Sequence, residues 1–354
     1  DILRRGGNAV DAAVAIGFAL AVTLPRAGNI GGDGFMLVRD AKSGEQVFFD
    51  FRSVAPKAAT LAMFVDNQGR ESEIASRGYL APSVPGTVAG LHMAHKKYGQ
   101  LRWSDVVSPA IALARDGVVL TPDEAFVFGW GKERLSTSTA AKAAYYKPDG
   151  ALYRAGERLK QPDLAWTLTQ IAKRGADGFY KGPVADRFAA DMKANGGLIT
   201  TEDLAAYRAI ERKPLRGTYR GLDIVTAPPA SAGGATLLNM LNIVENFDLK
   251  QNGVGAAKSL HIMAEAMKLG YSDRYAVLGD TDFVTTPIKG FISKTYALSR
   301  AKLIDPDKAK PVTQMGVGDP LKYESPSTTH FSVADAQGNV VSTTYTLGAD
   351  FGSG

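Results

Sequence analysis

Near the end of the chain, hydroxyl and imidazole side chains recur at every second residue. Thr328, His330 and Ser332 alternate with Thr329, Phe331 and Val333, while Ser342, Thr344 and Thr346 alternate with Val341, Thr343 and Tyr345. Both runs favour extended backbone, and they flank Asp335-Ala336-Gln337-Gly338-Asn339, a polar turn containing a glycine. An antiparallel hairpin over residues 328–334 and 340–347 is predicted. A symmetric loop sets Thr328 opposite Thr346, His330 opposite Thr344 and Ser332 opposite Ser342. Side chains alternate along a strand, so these polar groups share one face and the more apolar set takes the other.

A threonine hydroxyl is a weak nucleophile until a base removes its proton. A chain-terminal threonine carries such a base in its own α-amine. That amine titrates near ~7.7–8.0, so a sizeable fraction is neutral at physiological pH, where a lysine is almost wholly charged. Thr328 lies mid-chain, and cleavage of the bond between Ser327 and Thr328 would liberate the amine. Pro326 just upstream favours an extended, presentable segment. Thr346, across the hairpin, is placed to hydrogen-bond Thr328 and hold its rotamer. The competing reading is a hydroxyl-rich strand facing water, since threonine is common in strands.

Helices and strands that could position such a hairpin are interspersed along the whole chain, without an internal repeat or low-complexity linker. A single α/β domain over 1–354 is the simplest division. Gly6-Gly7-Asn8 breaks and caps an Ala-rich helix over 9–23, stopped by Pro25, whose small side chains suit a position between layers. Gly28-Asn29-Ile30-Gly31-Gly32-Asp33-Gly34 follows a helix and precedes a strand, the reverse of nucleotide cradles, and is read as a tight structural turn. A second hairpin is expected from 35–39 and 46–52. Arg52 ends its strand either in a surface ion pair, with Asp50 as a candidate partner, or as a fork for a substrate carboxylate. The ion pair is the simpler reading of the residues themselves.

Helices are further expected over 88–98, from a Ser104 cap to 115, and over 163–174, 184–195, 203–207, 236–246 and 256–271. Residues 125–155 are expected as a surface loop. His92 and His95 have the one-turn spacing of metal ligands, but no other His or Cys accompanies them, and exposed helix histidines are expected. Ser231 lacks the Gly-x-Ser-x-Gly frame of a nucleophile elbow, so no Ser-His-Asp triad is expected.

Composition narrows the function classes. The 354 residues are 45% hydrophobic, ample for a large core. A net charge of only +5 with no dense basic run argues against nucleic-acid binding. The absence of cysteine excludes disulfides, thiolate nucleophiles and cysteine zinc sites. The longest apolar run, 12–22, is about half of the ~20 residues a spanning helix needs, so no membrane span is expected. The start at Asp1, without Met, and the end at Gly354 read as those of a fragment.

The runs Thr328-Thr329-His330-x-Ser332-Val333, Gly338-Asn339-x-Val341-Ser342-x-Thr344-x-Thr346-Leu347 and Phe351-Gly352 closely resemble the signature of the γ-glutamyltransferase (γ-glutamyl transpeptidase) family. The likeness extends through 6–13, 27–32, Asp50-Phe51-Arg52, 85–90 and 228–234, almost the whole chain. The resemblance implies an α/β (α+β) N-terminal-nucleophile hydrolase, a four-layer αββα sandwich. It also implies a precursor that cuts itself between Ser327 and Thr328 into a large subunit, 1–327, and a small subunit beginning with 328–354, which remain together as a heterodimer. Thr328 would be the nucleophile of self-cleavage and turnover, Thr346 the threonine that supports it, and Arg52 the grip on the donor's α-carboxylate.

By the same resemblance the donor is glutathione or another γ-glutamyl amide, and the acceptor is water or an amino-acid or peptide amine. No metal or organic cofactor is implied, and the location is periplasmic or secreted. Gly348 departs from the pattern: the family usually has Asn there, sometimes Glu, to help hold the donor's amino-carboxylate end. Its lack of a side chain leaves room for the related glutaryl/cephalosporin-type acylases. A non-catalytic relative acting as a binding protein is the remaining alternative. The family's oxyanion-hole glycines, paired serines and acidic amine-binding residue are expected beyond Gly354.

Overall fold

The two predicted hairpins lie side by side in one sheet. A computed structural model describes residues 1–136, 138–253, 255–314, 327–348 and 351–353. The chain divides into two compact units, Asp1–Glu211 with Ser325–Gly354, and Arg212–Glu324. The first opens with helix α1 (Ala9–Thr23), strands β1 (Asp33–Arg39) and β2 (Gln46–Phe51), and helices α2 (Thr87–Tyr98) and α3 (Trp103–Asp116). A short pair, β3 (Val118–Val119) and β4 (Arg158–Leu159), encloses α4 (Pro122–Trp130), α5 (Lys132–Leu135) and α6 (Thr139–Tyr145). Helices α7 (Pro162–Arg174), α8 (Asp177–Tyr180), α9 (Pro183–Ala194) and α10 (Thr201–Ala206) lead to β5 (Ile210–Arg212).

The second unit holds the antiparallel pair β6 (Leu215–Tyr219) and β7 (Leu222–Thr226), then α11 (Ala232–Val244), α12 (Ala257–Val277), α13 (Ile288–Phe291) and α14 (Lys294–Ala301). Its core gathers Ile243, Ala266, Leu269, Ala297 and Ile304. The chain returns to the first unit as β8 (Ser327–Ala334) and β9 (Val340–Gly348), completing a sheet of order β5-β2-β1-β9-β8.

Local chemistry explains α1. The Asn8 side chain accepts the N–H groups of Val10 and Asp11 at 3.0 Å, and the Asn8 N–H donates to the Asp11 carboxylate at 2.9 Å, a closed capping box. Small side chains then let layers approach on both sides, as predicted. Val10, Val14 and Phe18 share one buried cluster with Met36, Phe49, Phe51, Val341 and Tyr345 of the sheet and Val88 and Leu91 of α2. Each fully buried Phe in that cluster contributes about 2–3 kcal/mol of apolar transfer. Of the four layers expected, the described residues show a helical layer on one five-stranded sheet.

Two expectations need correction. Residues 122–130, 132–135 and 139–145 form helices where a surface loop was expected. Thr121 and Ser138 cap α4 and α6, Pro122 occupies the first turn of α4, and Leu120, Phe128, Leu135 and Leu159 form a satellite core beneath them. The histidines of α2 are packed instead of exposed. His92 and His95 rings lie 4.8 and 5.1 Å from the Trp103 ring, and His95 Nε2 sits 3.1 Å from the Leu101 carbonyl and 3.3 Å from Asp11 Oδ1. Facing two oxygen acceptors, that nitrogen carries the hydrogen.

Candidate active site

Strand β9 is the axis of the site, with β8 on one side and β1 on the other. His330 pairs with Thr344 and Ser332 with Ser342, the predicted register. At the Thr328 end the register breaks. Thr329 pairs with Tyr345 but Ser327 pairs with Gly348, so Thr328 lies opposite two residues, Thr346 and Leu347, and not Thr346 alone. An extra residue on one strand is a β-bulge, which bends the strand and recurs beside active sites. Pro326 and the side chain of Thr328 lie outside the described residues, as does the hydrogen bond predicted between Thr328 and Thr346.

The predicted division of faces holds. Val341, Thr343 and Tyr345 are buried against the helices, with Phe331 and Val333 packed on the same core. Ser342, Thr344 and Thr346 occupy the other face and are half-buried. The Tyr345 hydroxyl, its pKa raised by burial, donates to the Gly17 carbonyl at 2.9 Å and ties β9 to α1.

Across β9 from the bulge, Asp33 of β1 pairs in register with Thr346. Asp33 Oδ2 accepts the backbone N–H of Ser53 at 3.0 Å and the Ser53 hydroxyl, and lies 3.5 Å from Arg52 Nε. The ion-pair partner of Arg52 is thus Asp33, while Asp50 Oδ1 accepts the Arg52 backbone N–H at 3.0 Å. The Arg52 carbonyl accepts the Tyr207 hydroxyl at 2.8 Å, and burial is the main cause of that phenol's raised pKa. The Arg52 backbone is therefore fixed while its side chain stays 59% exposed. An ion pair this open contributes about 0–1 kcal/mol to stability, too little to account for it as a structural device.

The glycine turn is structural, as read, and it supports β9. The Gly32 carbonyl accepts the N–H groups of Gly86 and Thr87 at 2.8 and 3.2 Å, and Asn29 Oδ1 accepts from Gly32 N–H and the Thr87 hydroxyl. A Cβ on Gly32 would stand 2.0 Å from the Thr346 carbonyl oxygen. Gly32→Ala is therefore expected to displace β9 and destabilise the protein by about 1–3 kcal/mol, read as a lowered melting temperature. A melting temperature equal to wild type would show that β9 can yield there without cost.

Asp33, Ser53 and Tyr207 were not singled out from sequence. Asp33 stands within the glycine-rich run and two residues before the predicted strand, and nothing local links it to Arg52. Ser231 and His261 belong to the second unit. Ser231 is the N-cap residue of α11, and His261 Nε2 lies 2.8 Å from the Asp305 carbonyl. Among the described residues no group of three or more His, Asp or Glu is arranged to hold a metal. No helix among them is long and apolar enough to cross a membrane.

The family model for gamma-glutamyltranspeptidase matches residues 1–354. The chain belongs to the gamma-glutamyltranspeptidase family. It is 49% identical over 356 residues to a glutathione hydrolase proenzyme of Escherichia coli, an alignment covering 100% of this chain and 61% of that protein. Against the crystal structure of Helicobacter pylori gamma-glutamyltranspeptidase the TM-score is 0.87 at 46% identity, covering 92% of this chain and 93% of that one. A cephalosporin acylase from Bacillus halodurans gives a TM-score of 0.88 at 30% identity, covering 100% of this chain and 64% of that one. The fold is the mixed helix-and-sheet fold of N-terminal-nucleophile hydrolases. The chain spans about three-fifths of the length of the curated family members it matches.

Proposed function

We propose that the chain is part of a self-cleaving γ-glutamyltransferase/hydrolase, with Thr328 as nucleophile, Thr346 as its support and Arg52 as the donor-carboxylate grip. The observation that carries the reading is the arrangement around β9, where Thr346, one of the two bulge residues opposite Thr328, lies between the Thr328 backbone and Asp33, the partner of Arg52. In the precursor the Thr328 hydroxyl adds to the Ser327 carbonyl, the peptide becomes an ester, and water cleaves it to leave 1–327 and a chain starting at Thr328. The freed α-amine then accepts the hydroxyl proton as the oxygen attacks the γ-amide carbonyl of glutathione or a related donor. The amine leaves with that proton, and the acyl group passes from Thr328 to water or to an amino-acid or peptide amine. Cleavage products that stay together as a heterodimer, and a periplasmic or secreted location, complete the reading.

Intact-mass analysis of the full-length protein tests it. Two chains with the break before Thr328 are expected, and an unbroken chain that still hydrolyses γ-glutamyl amides would overturn it. Arg52→Ala is expected to raise the KM for γ-glutamyl-p-nitroanilide about 10–100-fold with a smaller effect on kcat, the cost of losing a charge-assisted contact. An unchanged KM would return Arg52 to a surface ion pair.

A second reading, an amide acylase preferring glutaryl donors, draws support from Gly348 and from the likeness to the Bacillus halodurans cephalosporin acylase. The ratio of rates on γ-glutamyl and glutaryl anilides separates the two.

A further inference from the structure

Arg52 stands one residue past the end of β2, outside the strand ladder, whose last pair with β1 is Phe51 opposite Gly34. Side chains hold the peptide groups that follow. The Arg52 N–H donates to Asp50 Oδ1 at 3.0 Å, the Ser53 N–H donates to Asp33 Oδ2 at 3.0 Å, and the Arg52 carbonyl accepts the Tyr207 hydroxyl at 2.8 Å. Asp50 and Asp33 belong to β2 and β1, the adjoining hairpin, whereas Tyr207 lies 155 residues further along the chain.

Tyr207 is itself firmly held. It is buried directly after α10, a helix fixed by the capping box of Thr200 and Asp203, and its ring stacks on that of Tyr180 with centroids 5.6 Å apart and planes 10° from parallel. The Tyr180 hydroxyl in turn donates to the Pro85 carbonyl at 2.8 Å. Burial raises the pKa of Tyr207, so the phenol keeps the proton it donates. A Cβ on Gly86 would stand 2.2 Å from the Tyr207 hydroxyl oxygen and 2.0 Å from the Phe51 carbonyl oxygen, so the glycine leaves that hydroxyl its place. The same helix grips the segment after Arg52 a second time, where Asp203 Oδ1 accepts the Lys57 N–H at 3.1 Å. An exposed side chain such as that of Arg52 takes little direction from packing, and a binding site must hold its groups to within about 0.5 Å. We infer that Tyr207 is a positioning residue of the donor site: its hydroxyl holds the Arg52 carbonyl and so sets the direction in which the guanidinium leaves the backbone toward the donor's α-carboxylate. The inference rests on the proposed donor-binding role of Arg52.

The test is Tyr207→Phe in the full-length protein, which removes the hydroxyl and keeps the stacked ring. Steady-state kinetics on γ-glutamyl-p-nitroanilide are measured for this variant alone and combined with Arg52→Ala, and maturation is followed by intact mass. In the single variant KM is expected to rise about three- to tenfold, the effect of one lost hydrogen bond, with kcat within about twofold of wild type and maturation complete. In the Arg52→Ala background the same change is expected to leave KM where Arg52→Ala put it, because the group being positioned is gone. A role in packing alone would raise KM equally in both backgrounds, and that result overturns the inference. It is overturned as well by an unchanged KM in the single variant, by a fall in kcat without a rise in KM, or by a Phe variant that fails to mature, which assigns the hydroxyl to the scaffold. Failure of the underlying reading looks different: wild type hydrolyses no γ-glutamyl anilide, or Arg52→Ala leaves KM unchanged.

Discussion

Full-length protein carrying Thr328→Ala stays a single chain and turns over no γ-glutamyl amide above background. One hydroxyl is assigned two tasks, opening the peptide bond before it and later carrying the acyl group, so its loss removes both. Deleting the nucleophile of a comparable hydrolase costs roughly 10⁶-fold in kcat, about 8 kcal/mol of activation free energy. Binding and oxyanion stabilisation do not compensate on this scale. Thr328→Ser keeps the hydroxyl and is expected to mature and retain activity. Intact mass and an anilide assay read both variants. Two-chain product from the Ala variant would remove Thr328 from the mechanism.

Asp11→Ala is expected to cost about 3–5 kcal/mol of stability, although Asp11 touches none of the proposed catalytic residues. The residue is 0% exposed at the start of α1. Its carboxylate accepts the N–H of Asn8 at 2.9 Å, that of Gln100 at 3.0 and 3.1 Å, and that of Leu101 at 3.3 and 3.4 Å, with His95 Nε2 3.3 Å away. Truncation strands several donors out of water, each costing about 1–3 kcal/mol. The helix that docks Tyr345 would loosen with it, so maturation is expected to suffer too. A shift in the urea midpoint equivalent to under about 1 kcal/mol would show that water or relaxation satisfies those donors.

The same carboxylate sets a pH dependence. Burial pushes its pKa up, but hydrogen bonds from His95 and from the N–H groups of Asn8, Gln100 and Leu101 outweigh burial and hold it below the ordinary value. A folded pKa below the unfolded one means stabilisation that is present above the unfolded value of about 3.9 and is lost as pH falls through the folded one. The difference in stability between wild type and Asp11→Ala is therefore expected to narrow in acid, below about pH 4.

Features governed by neighbours along the chain were legible in the sequence. The bounds of α1, its Asn8 cap, both hairpins, the pairing of His330 with Thr344 and Ser332 with Ser342, and the split between a hydroxyl face and a core face all appear where expected. Capping, side-chain alternation and turn chemistry act over a few residues, so a one-dimensional reading captures them. The family signature, whose motifs are scattered from Gly6 to Gly352, was legible for another reason. Its glycines and polar residues meet in space, as Gly32 meets Gly86 and Thr87, and each contact restricts which residues can stand there.

Tertiary structure alone decided the rest. The short helices α4 to α6 are covered by a satellite core that includes Phe351, more than 200 residues away in sequence, with its ring 5.7 Å from that of Phe128. His95 is packed and largely covered because Asp11 and Trp103 approach it from other helices. The bulge at Thr328 and the choice of Asp33 over Asp50 as the ion-pair partner of Arg52 arise where three strands and the Ser53 turn converge. Which charges become neighbours depends on how the elements pack, and no local pattern of residue types encodes that distance.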